Sequence, residues 1–547
     1  MAVEFILLIL SLLFFTSILT DKLSSRLGVP SLMLFLLVGM LFGSDGLGLS
    51  FDNINLAEAI GSIGLSIILF SGGMDTKLQD IRPVAREGIL LATIGVLLTA
   101  TITGLAIWQL MKWTHAGLSL ALPTALLMAA TISSTDSASV FSILRSKNMM
   151  LRHNLRPMLE LESGSNDPMA AVLTTVLIGV AQSGGEPNGW MIVLMVVVQL
   201  VVGFLAGFLF GKFLVWLMNK VNLDNTSLYP ILVLTSCIFI FAMTYYLRGN
   251  SFLAVYIGGL VFGNSKFAHK RSTVNFLDGL TNLAQLAMFL TLGLLVSPHE
   301  LWDKNVLLLG AIVSVIMFFI SRPAAVMITL SPFRNIPFRG KMFVSWVGLK
   351  GASPILFAIM CLAANVPNAR LIFNVVFLCT LVSLFVQGIS IDKVARWLGV
   401  AETNKKKLKR VEKFDIDLPE EIKSVATEIE IKADMLEHGN HLMDMGFPDN
   451  TLAIMVRRGQ QFFVPSGKSV LQEGDTLLVI TDNKKTLQET YQQLEERRKE
   501  WHPDFLDDTV DFIRQFSIML REDRRIRQAH KREQKKKIKN NKSPQSL

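Results

Sequence analysis

Cysteine is scarce in this sequence, with only three cysteines in a chain of 547 residues. Cys237, Cys361 and Cys379 lie far apart, each inside an apolar run. A disulfide framework or a cysteine-based metal site needs several cysteines at short, paired spacings. The sequence therefore indicates neither, and we expect the three thiols to be small packing residues.

Other expected signals are missing as well. The first hydrophobic run begins at Val3 without a preceding basic region or a small-residue cleavage site, which indicates a retained span and not a signal peptide. No G-x-G-x-x-G nucleotide-binding pattern precedes the C-terminal region, so neither NAD nor any other cofactor is expected. No T-V-G-Y-G segment, the selectivity filter of potassium channels, occurs.

Apolar residues dominate most of the chain. The sequence is 51% hydrophobic with a mean hydropathy of +0.45, which is too apolar for an ordinary soluble protein. The apolar runs end near residue 395, and charged residues dominate after Asp392. We predict a transmembrane domain at residues 1–395, a basic linker at 396–424, a small α/β regulatory domain at 425–490, and a helical and basic tail at 491–547.

The hydrophobic runs are mostly close to the roughly 20 residues that cross a bilayer as a helix. They predict an α-helical polytopic membrane protein with about thirteen transmembrane helices. The predicted spans are 3–19, 29–43, 56–72, 88–110, 118–145, 157–182, 189–218, 228–247, 251–263, 277–297, 306–330, 342–363 and 371–391.

Basic residues are distributed asymmetrically among the loops between these spans. With the N-terminus outside, the inner loops contain Lys22, Arg26, Lys77, Arg82, Arg86, Arg145, Lys147, Arg152, Arg156, Lys220, Lys266, Lys270, Arg271, Arg334, Arg339 and Lys341. The outer loops contain only Lys112, Arg248, Lys304 and Arg370. Because cytoplasmic loops carry the excess of Lys and Arg, this asymmetry predicts an outer N-terminus and a cytoplasmic C-terminal domain.

Five ionisable residues from four predicted spans lie deep in the membrane: Asp136, Glu162, Asp167, Arg322 and Lys350. Each charge placed at mid-membrane costs about 2.5–3.5 kcal/mol on insertion scales, so such residues usually face a partner, water or a transported ion. At 1.5 Å per residue, the aspartate in the sixth span lies roughly 15 Å deep, near the middle of the hydrocarbon core. The other four are predicted at compatible depths, which indicates one shared site.

Helix periodicity separates the polar residues of the sixth span. Ser163 and Asp167 share one face at i, i+4 spacing, and Glu162 and Asn166 share a neighbouring face. Arg322 is the natural partner of the glutamate, because a guanidinium stays charged and binds a carboxylate through two hydrogen bonds. We expect that pair to be mainly structural and the aspartate to be functional.

The fifth and twelfth spans each contain a stretch that disfavours a continuous helix. Hydroxyl residues crowd the fifth span around Thr135 and Asp136, and two glycines and a proline interrupt the twelfth at Gly348–Pro354. We expect most of the serines to bond back to their own helix. We expect the Thr-Asp pair, in contrast, to mark a break in the helix.

Two broken helices have a direct electrostatic consequence. Half-helix N-termini carry a partial positive charge and C-termini a partial negative one, so Asp136 can offset the former and Lys350 the latter. Interrupted spans at corresponding positions of two inverted repeats are typical of the binding site of a secondary transporter. The sequence therefore favours ion transport.

These residues resemble the NhaP-type cation:proton antiporters over residues 5–395. The E-S-x-x-N-D motif of that family is matched in the sixth span, the T-D motif in the fifth, and the paired arginine in the eleventh; the matching residues are Glu162, Ser163, Asn166, Asp167, Thr135, Asp136 and Arg322. The usual G-L-R-G motif differs here, because Lys350 replaces its arginine. The two basic residues differ in hydrogen-bonding geometry, so the role of the lysine is an open question.

The resemblance implies a specific mechanism. Asp167 would bind either a proton or a dehydrated monovalent cation, and Ser163, Thr135 and main-chain oxygens would complete the cation shell. Asn166 stands where some relatives have a second aspartate, which implies electroneutral exchange of K⁺ or Na⁺ for H⁺. The family fold implies crossed discontinuous helices, a homodimer, and spans 4–6 and 11–13 that move against a scaffold.

The region from Gly439 to Ile480 resembles the TrkA-C (RCK-C) module of potassium-uptake regulators. Strands are predicted at Ala426–Ile431, Thr451–Val456 and Thr476–Ile480. Such modules often bind small ligands, and Arg457 and Arg458 could hold an anionic one, although a solvated charge pair is the simpler expectation. The basic tail is expected to contact lipid and not nucleic acid.

Two other functions were compatible with parts of the sequence. A ligand-gated monovalent cation channel could use the same cytoplasmic module, and an intramembrane hydrolase could use Asp136 and Asp167 as an acid pair. The missing filter argues against the first, and the neighbouring Arg322 and Lys350 argue against the second. We therefore expect a non-enzymatic antiporter in a bacterial inner membrane, with K⁺ favoured as substrate by analogy with the module.

Overall fold

A computed structural model describes residues 11–19, 30–49, 51–114, 120–146, 149–183, 189–403, 426–431, 436, 439–445, 447, 451–459 and 461–481, together with Glu4 and Leu8. The chain divides into two compact units, Met1–Lys405 and Lys406–Leu547. The helix predicted at Phe505–Leu520 and the basic tail lie outside the described residues.

The first unit is helical. After a helical stretch at 11–19, its helices are α1 (Ser31–Phe42), α2 (Ile54–Asp75), α3 (Leu78–Lys112), α4 (Leu122–Ile132), α5 (Ser137–Ser146), α6 (Leu155–Ser183), α7 (Gly189–Lys220), α8 (Leu228–Tyr246), α9 (Ser251–Gly263), α10 (Lys270–Leu295), α11 (Pro298–Leu301), α12 (Lys304–Leu330), α13 (Phe338–Trp346), α14 (Ser353–Ala363) and α15 (Ala369–Trp397). Two short strands, β1 (Met149–Leu151) and β2 (Ala401–Thr403), pair antiparallel.

Within the described residues, every predicted span contains helical structure, which confirms the polytopic helical class. Seven of the described helices are long and apolar enough to cross a membrane: α2, α3, α7, α8, α10, α12 and α15. Four shorter apolar helices are α1, α4, α9 and α14. The last helix continues to Trp397, beyond the predicted end at residue 391, and β2 follows it, so residues 396–403 belong to the helical unit.

The fifth and twelfth spans are each broken into two helices. The chain is non-helical at Ser133–Asp136, between α4 and α5, and at Val347–Ala352, between α13 and α14. Two further irregularities are π-helical stretches at Leu91–Gly95 in α3 and Met317–Ser321 in α12. π-Helical stretches are rare in proteins overall, but many of those that occur lie at functional sites. The second stretch ends directly before Arg322.

Small residues allow close helix contacts in the first unit. A Cβ built on Gly39 of α1 would lie 2.8 Å from the Cα of Gly293 in α10, and one on Gly259 of α9 would lie 3.0 Å from the Cα of Phe70 in α2. In a membrane, van der Waals contact of this kind is the main force between helices, since lipid is as apolar as the side chains. These contacts join α1 closely to α10 and α9 closely to α2.

The second unit contains one antiparallel sheet in its described residues. Its strands are β3 (Ala426–Glu430), β4 (Thr451–Arg458), β5 (Gln461–Phe463) and β6 (Thr476–Thr481), in the order β3-β6-β4-β5. Ile429, Val456, Leu477 and Val479 form its core. Three strands were predicted from their apolar pattern. The fourth, β5, has only three residues, too few to give an alternating signal.

One basic residue of this sheet has a fixed structural partner. Arg458 Nη2 lies 2.8 Å from Oδ2 of the buried Asp475 and also donates to the Val470 carbonyl. The hydrogen bonds to this carboxylate raise the pKa of Arg458. The expectation of a solvated pair at Arg457 and Arg458 was therefore wrong for the second arginine, because its partner lies 17 residues away in sequence.

Candidate functional site

The two helix breaks meet at the candidate site. The Asp136 N–H in the first break donates to the Leu349 carbonyl in the second, at 2.7 Å. A Cβ on Gly351 would lie 2.8 Å from Asp136 Oδ2, so the second break needs a glycine at this point. Direct contact between the breaks places the half-helix ends of both spans around one buried region.

Asp136 lies immediately before the first residue of α5. Its Oδ1 accepts the Ser139 backbone N–H at 3.2 Å, and its Oδ2 accepts the Ser139 hydroxyl at 2.5 Å. A carboxylate that accepts an N–H of the first turn occupies the usual N-cap position, where it also faces the positive end of the helix dipole.

Lys350 lies at the C-terminal end of a half-helix, α4. Its Nζ donates to the carbonyls of Ser134, at 2.7 Å, and Ser133, at 3.3 Å, just beyond the last residue of α4. Its side chain is among the largest that are fully buried. Its backbone N–H donates to Ser383 in α15 at 2.9 Å. The ammonium therefore lies against the negative end of a half-helix.

Asp167 lies in the middle of the continuous helix α6 and is 8% exposed. The Ser134 hydroxyl donates to its Oδ1, and the Ser353 hydroxyl donates to its Oδ2 at 2.8 Å. Among the residues that the structure describes, no Lys, Arg or His nitrogen lies within 4.0 Å of this carboxylate. Its protein partners are thus neutral.

Ser163 and Asn166, on the same helix, both contact Thr135 in the first break. The Ser163 hydroxyl donates to the Thr135 carbonyl at 3.0 Å. Asn166 Nδ2 lies 3.2 Å from the same carbonyl and 2.5 Å from the Thr135 hydroxyl. The other amide atom, Asn166 Oδ1, is buried and has no hydrogen-bond partner in the described structure. An unpaired buried acceptor of this kind is available to a cation or to water.

Glu162 and Arg322 form a separate buried pair. Arg322 Nη2 lies 2.5 Å from Glu162 Oε1, and the two side chains are 4% and 1% exposed. The pair joins α6 to α12 directly after the π-helical stretch. The structure therefore places all five ionisable residues near the two breaks but in three different environments: one ion pair, two charges at half-helix ends, and one carboxylate bonded by hydroxyls.

Two residues at the site were not among the predicted site residues. Ser134 and Ser353 were each part of a recognised stretch, but the serines of the fifth span were expected to bond to their own helix. Thr131 and Ser133 do so, donating to the carbonyls of Met128 and Ala130, and Ser134 does not. The only available signal was position, since Ser134 directly precedes the Thr-Asp pair and Ser353 directly precedes the interrupting proline.

A glycine in the E-S-x-x-N-D motif of α6 makes room for an aromatic ring of α9. A Cβ on Gly164 would lie 2.7 Å from Cζ and 2.8 Å from Oη of Tyr256, whose side chain is buried. We expect Gly164→Ala to destabilise the protein by about 1–3 kcal/mol, because the ring has no space to withdraw. The measurement is the thermal unfolding midpoint in detergent.

Gly179→Ala is the matched control for that substitution. Gly179 lies in the same helix, and a Cβ there would meet nothing within 4 Å. Equal unfolding midpoints for the two variants would contradict the close contact between α6 and α9.

The chain is similar to known proteins over most of its length. A family profile described as sodium/hydrogen exchanger, transmembrane, matches residues 9–397. A relative named K(+)/H(+) antiporter NhaP, from Alkalimonas amylolytica, is 37% identical over 482 residues, or 88% of this chain and 81% of the relative. Another relative, named K(+)/H(+) antiporter NhaP2, from Shewanella oneidensis, is 36% identical over 485 residues, which is 87% of this chain and 81% of that relative.

The fold also has a counterpart among solved structures. The structure of the sodium proton antiporter MjNhaP1 from Methanocaldococcus jannaschii aligns with a TM-score of 0.63 at 22% identity. The alignment covers 73% of this chain and 99% of that one. At this identity the likeness shows the shared helical fold.

Proposed function

Because the chain belongs to the sodium/hydrogen exchanger family, we propose that it is a secondary antiporter that exchanges K⁺, Na⁺ or both for H⁺ across a membrane. The family assignment confirms the resemblance inferred from the E-S-x-x-N-D and T-D motifs. The names of the relatives from Alkalimonas and Shewanella favour K⁺ as the cation. A channel is not favoured.

One observation carries the proposal for the site: Asp167 is a buried carboxylate whose described partners are two hydroxyls. A carboxylate held by Lys or Arg is neutralised permanently, as Glu162 is by Arg322. A buried carboxylate without a basic partner is costly unless it binds a proton or a cation. Asp167 is therefore suited to alternate between the two.

Exchange then follows from competition at one group. A proton or a dehydrated cation binds Asp167, but both cannot be bound together, so each crossing carries one or the other. Thr135 in the helix break and Ser163, one turn before Asp167 on α6, would supply further oxygen atoms; the Ser163 hydroxyl donates to the Thr135 carbonyl. Asn166 does not titrate, so one positive charge moves in each direction and exchange is electroneutral.

The helix ends contribute a fixed electrostatic field. We propose that Asp136 compensates the positive end of α5 and that Lys350 compensates the negative end of α4, as their hydrogen bonds favour. With the charges of both helix ends compensated, the electrostatic potential at Asp167 stays near zero. The carboxylate can then bind either a proton or a cation. Lys350 would thus serve in place of the arginine of the usual motif.

Proton movement in proteoliposomes tests the proposal directly. The protein is reconstituted with an internal pH dye, and K⁺, Na⁺ and Li⁺ are added one at a time. Cation-dependent movement of protons against the cation is expected, and the ion with the largest response is the substrate. Cation flux without counter-moving protons would contradict antiport.

The surface of α7 supports a membrane environment and an assembly. Only 17% of its most apolar stretch is buried within the chain, and Trp190, Leu209 and Trp216 are exposed. A long apolar face of this kind needs lipid or a second copy of the protein to cover it. We propose a homodimer in the bacterial inner membrane, with the N-terminus outside and the C-terminal unit in the cytoplasm.

We propose that the C-terminal unit is a TrkA-C-like module that regulates exchange through a small anionic ligand. Since the helical unit extends to Lys405, truncation after that residue preserves β2. We expect this truncation to retain exchange but to change its pH profile or its dependence on K⁺, measured in the same proteoliposomes.

Truncation after Thr481 is the matched control, because it keeps the four-stranded sheet and removes only the remainder of the chain. A pH profile that stays identical in both truncations and in the full chain would rule out regulation by the sheet and by the tail.

A further inference from the structure

The two hydroxyls on Asp167 come from the two broken helices, one from each. Ser134 lies in the break after α4, and Ser353 is the first residue of α14. Each donates to a different carboxylate oxygen, so both oxygens are occupied. The serines are 1% and 7% exposed, so both are buried together with the carboxylate.

The main chain fixes where these hydroxyls lie. The Ser134 carbonyl accepts the Lys350 ammonium at 2.7 Å, and the N–H of Asp136 joins the first break to Leu349 in the second. These contacts hold the two breaks together, and each serine Oγ lies within hydrogen-bonding distance of the carboxylate, while rotation about its C–O bond remains free. Position is fixed by the helix breaks, and the direction of the O–H bond is not.

This freedom matters because a hydroxyl can donate or accept. It has one donor hydrogen and two acceptor lone pairs, whereas a backbone N–H can only donate. With the carboxylate empty, both serines donate to it. When a monovalent cation arrives, the same oxygens can turn their lone pairs toward the ion, and oxygen atoms are the ligands that hard cations prefer.

We infer that Ser134 and Ser353 are specificity-determining residues that hold the empty Asp167 carboxylate as donors and bind the dehydrated cation as ligands. This inference rests on the proposed antiport. The pair sets the balance between proton and cation in two ways. The donors stabilise the ionised carboxylate against the proton, and the turned hydroxyls add oxygen ligands for the cation.

Alanine substitution of each serine tests the pair in reconstituted full-length protein. We expect S134A and S353A each to raise the apparent KM for K⁺ about tenfold, because the cation loses one oxygen ligand and the competing proton binds the carboxylate more tightly. The pH profile should move to more alkaline values, because a carboxylate with fewer donors holds its proton more tightly. Saturating K⁺ at alkaline pH should restore most of the maximal rate.

Conservative variants and a control separate this role from a structural one. S134T and S353T keep the hydroxyl and should restore the KM and the pH profile. S345A is the control, since the Ser345 hydroxyl donates to the Lys341 carbonyl of its own helix at 2.9 Å. If an alanine variant does not fold, Ser353→Cys keeps the volume with a weakly bonding thiol and should show the same rise in KM.

The outcomes distinguish this inference from the proposed function. Wild-type protein without cation-coupled proton movement would overturn antiport itself. Wild-type exchange together with an unchanged KM and pH profile in folded S134A and S353A would overturn only the role of the serines. Complete loss of exchange at every pH and K⁺ concentration in folded alanine variants would also overturn it, because tuning residues must leave the reaction possible.

Discussion

Asp167→Asn should reduce cation-dependent proton movement to the level of empty liposomes. Asparagine has nearly the same shape as aspartate, but its amide neither ionises nor takes up a proton at the pH values of the assay. The Ser134 and Ser353 hydroxyls that donate to the carboxylate can still contact the amide, so the fold should be retained. The measurement is the pH-dye response to K⁺ and Na⁺, with the amount of folded protein matched by size-exclusion chromatography.

Asp278→Asn is a suitable control for this substitution. Asp278 lies in α10 and is exposed. Its substitution makes the same chemical change on a membrane helix away from the helix breaks. Its exchange should equal that of the wild type. Persistent cation-coupled proton flux in folded Asp167→Asn would refute the assignment of the exchanging group.

Breaking the Glu162–Arg322 pair should produce the largest loss of stability. Removing one partner leaves the other as an uncompensated buried charge, and such changes cost about 3–5 kcal/mol. Both side chains are almost fully buried, so solvent cannot compensate. We expect Glu162→Gln and Arg322→Met each to lower the unfolding midpoint strongly, and the double variant to recover part of the loss because no lone charge remains.

A second ion pair on α6 provides the comparison. Arg156 and Glu160 lie 2.9 Å apart, but their side chains are 52% and 33% exposed. Exposed pairs contribute at most about 1 kcal/mol, so Glu160→Gln should scarcely change the midpoint. If Glu162→Gln matched that variant in stability and yet abolished exchange, Glu162 would belong to the transport machinery and would not be a structural lock.

The helical membrane fold follows from local sequence. Apolar runs about as long as the bilayer is thick predict spans, since a buried backbone in lipid must satisfy its own hydrogen bonds. The breaks were predictable for the same reason, because glycine, proline and clustered hydroxyls locally weaken a helix at Gly348–Pro354 and near Asp136. The membrane cost of a charge likewise marked Asp167 as exceptional.

The short elements and the ends of helices were less predictable. The final helix extends past its apolar run to Trp397, and Ala395 in this extension is buried against the rest of the unit. Strand β5 is stabilised by pairing with β4, which its own three residues do not reveal. In both places, the deciding contacts are with residues distant in sequence.

The sequence by itself determined the class of protein, its spans and the set of buried charges, because apolar length and the cost of a charge in lipid are local properties. Only the tertiary structure decided which polar groups meet. Ser134 and Asp167 are 33 residues apart, and Ser353 and Asp167 are 186 apart. Helix periodicity relates residues three or four apart, whereas these hydrogen bonds depend on how two broken helices cross a third.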